Sequence, residues 1–211
     1  VSRLITTAER GAIAQAAALL RAGELVAIPT ETVYGLVALP TQEGTERLIA
    51  AKQRSSDKGI QLLIDSLDQA RALAILTPAA ELLAERYWPG GLTLVLARRP
   101  DVELPELLGG GRPTLGLRLP DHPVPRELAR QLGPLAASSA NVSGQPAAGT
   151  AEQAMAYLGD VVGLVVDDGP VRGGISSSVV SCLPGERPVV LREGAISAAD
   201  IGSATATLDE A

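Results

Sequence analysis

The sequence predicts an α/β (α+β) domain built on a mixed sheet, because short apolar runs of strand length alternate with helical patterns along the whole chain. Length fits that class: 211 residues make one large domain able to bury a sizeable core. Composition fits it too, since 46% hydrophobic and 20% charged residues are those of a globular chain and not of a disordered one. A single domain over residues 1–202 is expected, followed by a polar tail over 203–211 that frays.

Thr6 and Glu9 have the spacing of a capping box ahead of an apolar helical pattern ending at Gly23. Residues 25–28 read as a short buried strand stopped by Pro29, and residues 33–39 as a second strand. A helix over 43–51 presents Lys52 and Arg54 at its C-terminal end, where cations complement the helix dipole. Residues 60–64 form a strand, and helices follow over 67–76 and 78–86, the second opened by Pro78. Strands over 92–97 and 115–119 flank Gly109-Gly110-Gly111, which no Lys-Ser/Thr pair follows. It is therefore not a phosphate-binding P-loop, and a plain mobile loop is expected there. A helix over 123–131, a strand over 135–137, a helix over 150–158 and strands over 163–166, 178–183 and 188–191 complete the alternation.

The composition narrows the function classes. No apolar stretch approaches the ~20 residues of a membrane helix, and no secretory signal pattern opens the chain. One cysteine, Cys182, excludes an internal disulfide and a cysteine metal cluster. A cytoplasmic protein is expected. A net charge of −6 and the absence of phenylalanine speak against a surface devoted to nucleic acid or a base-stacking platform. His122 is the lone histidine, so a histidine triad or a multi-histidine metal site has little material.

Chemistry then falls to polar loops that follow apolar strands, where ligands of α/β sheets gather. Lys52 and Arg54, one residue apart, suit a polyphosphate, and Ser139 with Asn141 suits hydrogen-bonding ligand atoms. Each pair alone reads first as a solvated helix end or an ordinary loop. Arg118, between Leu117 and Leu119, needs a partner if it is buried, or else marks an exposed edge. Ser176-Ser177-Ser178 lacks a nucleophile elbow and reads as a hydrogen-bonding segment. Asp167-Asp168 reads as a turn before Gly169, Cys182 as inert core, His122 as a helix entry, and Trp88 as packing a helix end on the sheet.

Seven segments in order carry a family pattern: Pro-Thr-Glu-Thr-Val-Tyr-Gly-Leu from Pro29, Lys52-x-Arg54, Trp88–Thr93, Leu117–Pro123, Ser139-x-Asn141, Ser176–Val179 and Leu191–Ile196. Together, over roughly residues 12–196, they resemble the YrdC-like family of L-threonylcarbamoyladenylate synthases in its short bacterial form. The resemblance implies a twisted open mixed sheet with flanking helices around a large basic cavity. It implies a nucleotidyltransferase that makes threonylcarbamoyl-AMP and pyrophosphate from L-threonine, bicarbonate and ATP. The product serves threonylcarbamoyl-adenosine modification of tRNA by separate downstream transfer proteins, with weak tRNA binding in addition. By motif, Thr30, Thr32, Arg118 and Ser177 surround threonine. Lys52, Arg54, Lys58, Thr114, Ser139, Asn141 and Arg192 surround ATP, with Lys52 and Arg54 catalytic. Mg²⁺ is expected to arrive with ATP, with no protein metal site. Ser55-Ser56, Gly91 and Ser178 stand where the family commonly has proline, proline and threonine. An RNA-binding module that reads structured RNA by shape is the alternative. A carbamoyl-transfer domain of the hydrogenase-maturation type, which shares the fold family, is a third reading.

Overall fold

A computed structural model describes residues 3–206. The elements run β1 (Arg3–Thr6), α1 (Ala12–Arg21), β2 (Val26–Ile28), β3 (Gly35–Ala38), α2 (Gln42–Lys52), β4 (Gln61–Leu63), α3 (Leu67–Leu73), β5 (Ala74–Ile75) and α4 (Pro78–Tyr87). They continue with β6 (Leu92–Arg98), β7 (Thr114–Arg118), α5 (Pro123–Leu132), β8 (Leu135–Ser139), α6 (Ala151–Leu158), β9 (Leu164–Asp167), β10 (Ser178–Ser181), β11 (Val189–Arg192) and α7 (Ala198–Thr205). Among the described residues the strands form one mixed sheet in the order β1-β9-β2-β3-β8-β4-β7-β6-β10-β11, with β5 added beside β6.

Period-two alternation places neighbouring apolar residues on opposite faces. Leu36, Leu62 and Ala136 join a core with Leu48 of α2, Leu83 of α4 and Ile201 of α7. Their neighbours Val37, Leu63 and Ala137 join a second core with Leu20 of α1 and Leu128 of α5. Helices therefore cover both faces, and the sheet is the middle layer. Among the described residues no helix is long and apolar enough to cross a membrane.

Four local expectations change. Glu9 does accept a hydrogen bond from the Thr6 amide at 3.0 Å, but Thr6 belongs to β1, which pairs in parallel with β9. Helix α1 starts only at Ala12, after Gly11 at φ 85°. The helix over 67–76 stops at Leu73, because Ala74 and Ile75 pair antiparallel with β6. The tail expected to fray from Ser203 is helical to Thr205: Ser197 caps α7, and Ile201 and Ala204 are buried. Residues 207–211 of that tail lie outside the described ones. The glycine stretch is stitched to its neighbour, since Ile60 donates to the Leu108 carbonyl at 2.8 Å. A Cβ at Gly110 would collide with the Asp57 carbonyl, so glycine is required there by close backbone approach.

Burial pushes the Cys182 thiol from 9.0 up to about 12. Above about pH 9 the unfolded chain gives up a proton that the folded chain keeps, so stability falls as pH rises through that window. Denaturant unfolding of Cys182→Ala, compared with the native chain across alkaline pH, is expected to show a shallower loss. Parallel profiles would mean that the thiol titrates alike in both states.

Candidate active site

A cavity of about 270 Å³ opens on the sheet face itself. On the α1/α5 side the core ends near Leu63 and Ala137. Further across the same side, cross-strand neighbours of those residues line the cavity: Gln61, Gly116 and Arg118, then Thr93 and Val95, then Val179. The expectation that strand-end loops make the site is thus only half met. Alternate residues of β4, β7, β6 and β10 form the floor, while Arg54, Gly59, Arg112 and Ser176 wall it from loops and Leu108 from the short 3-10 helix Glu106–Gly109.

Lys52 and Arg54 part company at Gln53, which caps α2 in the left-handed region at φ 48°. Lys52 is buried. Its ammonium donates to the Ser139 carbonyl at 2.6 Å, the Asn141 carbonyl at 2.5 Å, the Ser139 hydroxyl at 3.3 Å and Asn141 Oδ1. Asn141 Oδ1 also receives the Ser139 hydroxyl at 2.6 Å, and its Nδ2 donates to Gln145 at 2.5 Å. Ser139-x-Asn141 is thereby the receptor for Lys52, so the solvated-helix-end reading fails for this residue. Burial, and secondarily Arg54, push Lys52 from 10.5 down to about 8. Arg54 instead lines the cavity, braced by the carbonyls of Lys58 at 3.2 Å and Gly59 at 3.1 Å.

Arg118 is 2% exposed, so it is no edge residue. Its Nη2 donates to Glu31 Oε1 at 2.7 Å and to the Thr32 hydroxyl at 2.8 Å, and its Nε donates to the Gly90 carbonyl at 3.1 Å. Thr30 stands behind Thr32, hydroxyl to hydroxyl at 3.0 Å, and donates to the Val33 carbonyl at 2.6 Å. On the far wall, Arg192 Nη2 donates to the Ser177 carbonyl at 2.7 Å and hydroxyl at 3.3 Å. The Ser177 hydroxyl also meets that of Thr93 at 2.8 Å. Burial lowers the Arg192 guanidinium, and Arg118 and Arg54 lower it further.

The cavity thus gathers Arg54, Arg118, Ser139, Ser177, Thr114 and Arg192 on its walls. Thr30, Thr32, Lys52 and Asn141 stand outside the lining residues and hold those that face in. Lys58 is exposed and offers its carbonyl to Arg54. Sequence reasoning passed over Glu31, Thr93 and Arg112, although the first two lie inside motifs it quoted. Guanidiniums crowded in a low-dielectric cleft favour an anionic, multiply charged ligand.

Elsewhere the bland readings describe the geometry. His122 Nδ1 accepts the Val124 amide at 3.2 Å at the start of α5, and its Nε2 lies 3.2 Å from Asp168. Asp167 accepts the Gly169 amide at 2.8 Å in a turn. Trp88 packs against the core and donates from Nε1 to the Leu92 carbonyl at 2.8 Å. Among the described residues no cluster of three His, Cys, Asp or Glu side chains is placed to hold a metal ion.

Comparison with known proteins agrees with this architecture. A threonylcarbamoyl-AMP synthase of Bacillus subtilis is 43% identical over 188 residues, covering 88% of this chain and 54% of the relative. One of Pseudomonas fluorescens Pf-5 is 38% identical over 156 residues, covering 73% of this chain and 83% of the relative. The chain therefore spans about half the length of the B. subtilis protein and most of the P. fluorescens one. The crystal structure of Pyrococcus abyssi Sua5 complexed with L-threonine superposes with a TM-score of 0.87 at 35% identity, covering 97% of this chain and 60% of that one. The family model for Sua5, YciO and YrdC, described as telomere recombination, matches residues 18–194, and the chain belongs to that family.

Proposed function

We propose that this chain is a nucleotidyltransferase that joins L-threonine, bicarbonate and ATP into threonylcarbamoyl-AMP and pyrophosphate. The observation that carries the reading is the cavity on which Arg54, Arg118 and Arg192 converge, in a family whose relatives are threonylcarbamoyl-AMP synthases. The threonine-bound P. abyssi structure supports L-threonine as one substrate. These findings favour the synthase over an RNA-binding module.

In this reading Arg118 takes the threonine carboxylate, oriented by Thr32 and Thr30, with Ser177 beside it. Arg54 and Arg192 face the phosphates, and Thr114 and Ser139 complete the ATP pocket. Lys52 and Asn141 hold its wall in place, and Lys58 meets the nucleotide at the rim. The carbamate oxygen attacks the α-phosphorus, and the bond to the β-phosphate breaks with its electron pair leaving on pyrophosphate. Positioned guanidiniums stabilise the charge that gathers on the phosphoryl oxygens. The labile carbamate is made where it is used, which keeps it from bulk water. Mg²⁺ brought by ATP would supply further charge neutralisation beside Arg54 and Arg192. The product passes to tRNA threonylcarbamoyl-transfer proteins in the cytoplasm, and any direct tRNA contact is weak and secondary.

Pyrophosphate release by the purified protein with ATP, Mg²⁺ and fresh bicarbonate, with and without L-threonine, tests the proposal. Release is expected to depend on threonine, to yield threonylcarbamoyl-AMP by mass spectrometry, and to vanish in Arg54→Ala. Threonine-independent release, or none from folded protein, overturns it.

A further inference from the structure

Glu31 is bonded on one side only. Its Oε1 takes Arg118 at 2.7 Å, whereas Oε2 is the one buried side-chain polar atom without a hydrogen-bond partner among the described residues. Native folds seldom leave a buried acceptor unmet, and a charged one is the most costly. Such an oxygen calls for a donor from outside the fold. Its neighbour Arg118 lines the cavity and makes its bonds through Nε and Nη2, so the Nη1 edge of the same guanidinium is left for a ligand. Glu31 is not itself among the lining residues but stands directly behind Arg118, which is. Together the guanidinium edge and the unmet carboxylate oxygen offer the two poles that a zwitterionic amino acid would pair with.

We propose that Glu31 receives the α-ammonium of the amino-acid substrate through Oε2 and takes the proton which that nitrogen must lose before it becomes a carbamate. The inference rests on the synthase reading above. An ammonium has no lone pair, so its proton passes first to Oε2. The freed amine then forms its bond to the bicarbonate carbon. A carbon–oxygen bond of bicarbonate breaks, and the hydroxyl departs as water with the second nitrogen proton. Carbamate, water and a protonated Glu31 balance the step, and Glu31 returns its proton to solvent after turnover.

Other carboxylates are already engaged. Asp167 accepts Gly169 and Tyr34, Asp168 meets His122 and Thr7, and Asp57 is exposed. Arg118 is in contact with Glu31, the Gly173 amide beside Arg172 donates to the Glu31 carbonyl, and His122 lies within electrostatic reach of Glu31, Asp168, Arg172 and Asp121. Both ring nitrogens of His122 are occupied, so it is no rival base.

Glu31→Gln keeps an oxygen for Arg118 and removes the base. At neutral pH its threonine-dependent pyrophosphate release is expected to fall by roughly 10²–10⁴-fold, with ATP binding by calorimetry unchanged. The ratio to the native rate is expected to recover as pH rises, because the amine then loses its proton to water unaided. Calorimetry should also show the native chain preferring L-threonine to its des-amino analogue, 3-hydroxybutanoic acid, and the variant losing that preference. If Glu31→Gln folds poorly, Glu31→Asp, with its carboxylate withdrawn, is expected to show a smaller deficit that also shrinks with pH. A deficit equal at every pH, or none, overturns the proposal and leaves Glu31 a brace for Arg118. Failure of the native chain to release pyrophosphate with threonine strikes the synthase reading instead.

Discussion

Lys52→Ala is expected to abolish threonine-dependent pyrophosphate release while costing about 3 kcal/mol of stability, seen as a fall of roughly 6–12 °C in thermal midpoint. The ammonium is the shared donor to two carbonyls and the Asn141 side chain. Removing it takes the charged donor from all three and leaves the Asn141 carbonyl unmet, while the Ser139 carbonyl keeps the Asn141 amide and Asn141 Oδ1 keeps the Ser139 hydroxyl. An opposing effect exists, because burial and Arg54 already penalise this charge, pushing it from 10.5 to about 8. Lys52→Met separates the two: it keeps the apolar stem and removes the buried charge. It is expected to be more stable than Lys52→Ala and equally inactive, because the wall that carries Ser139 loses its tether in both. Turnover retained by Lys52→Met would make the ammonium a bystander. Thermal denaturation beside the pyrophosphate assay decides between these outcomes.

Arg118→Ala is expected to be more damaging to the fold, by about 3–5 kcal/mol, the usual consequence of breaking a buried ion pair from one side. Glu31 would then have neither carboxylate oxygen paired, and the Gly90 carbonyl and Thr32 hydroxyl would lose their donor. The double variant Glu31→Gln with Arg118→Met removes both charges and is expected to regain much of that stability, yet to show no threonine use. Arg118→Lys keeps one charge but not the planar fork that serves three acceptors at once. Its threonine KM is expected to rise by more than its ATP KM. Equal shifts in both constants would mean that Arg118 shapes the whole cavity and does not read the amino acid.

Much of the fold was legible because most strands here are short apolar runs bounded by Pro, Gly or a polar loop, a local signal. What escaped depends on distant partners. Strand β1 is four residues with an exposed start, and its pairing with Leu164–Asp167 lies far down the chain. Strand β5 is two residues that would continue a helix were β6 not beside them. The weak pattern of α7 gains its helix from the Ser197 cap and burial of Ile201. At the site, spacing marked Lys52 and the Ser139–Asn141 pair but could not say that one serves the other, because the packing of α2 against β8 brings them together. For Arg118, strand alternation gave a face but no partner, leaving burial and exposure open until Glu31 stood beside it. The position of the cavity was hidden for the same reason: Val95, Gly116 and Val179 look like core residues in sequence, and only the missing helix above them turns their face into a floor.

The strand order also bears on how the protein is made. A ribosome delivers β1 first, yet its partner β9 comes late, and the part of β6's second edge that β5 leaves open likewise waits for β10. Only neighbours such as β2 with β3, or β6 with β7, can pair as they emerge. The nascent chain therefore carries open apolar edges for most of synthesis, the condition that slows folding and invites wrong pairing. Because Arg192 ends β11, ligand-binding competence would appear abruptly, near the completion of the sheet. A chain stopped before that strand would lack the Arg192 wall of the cavity.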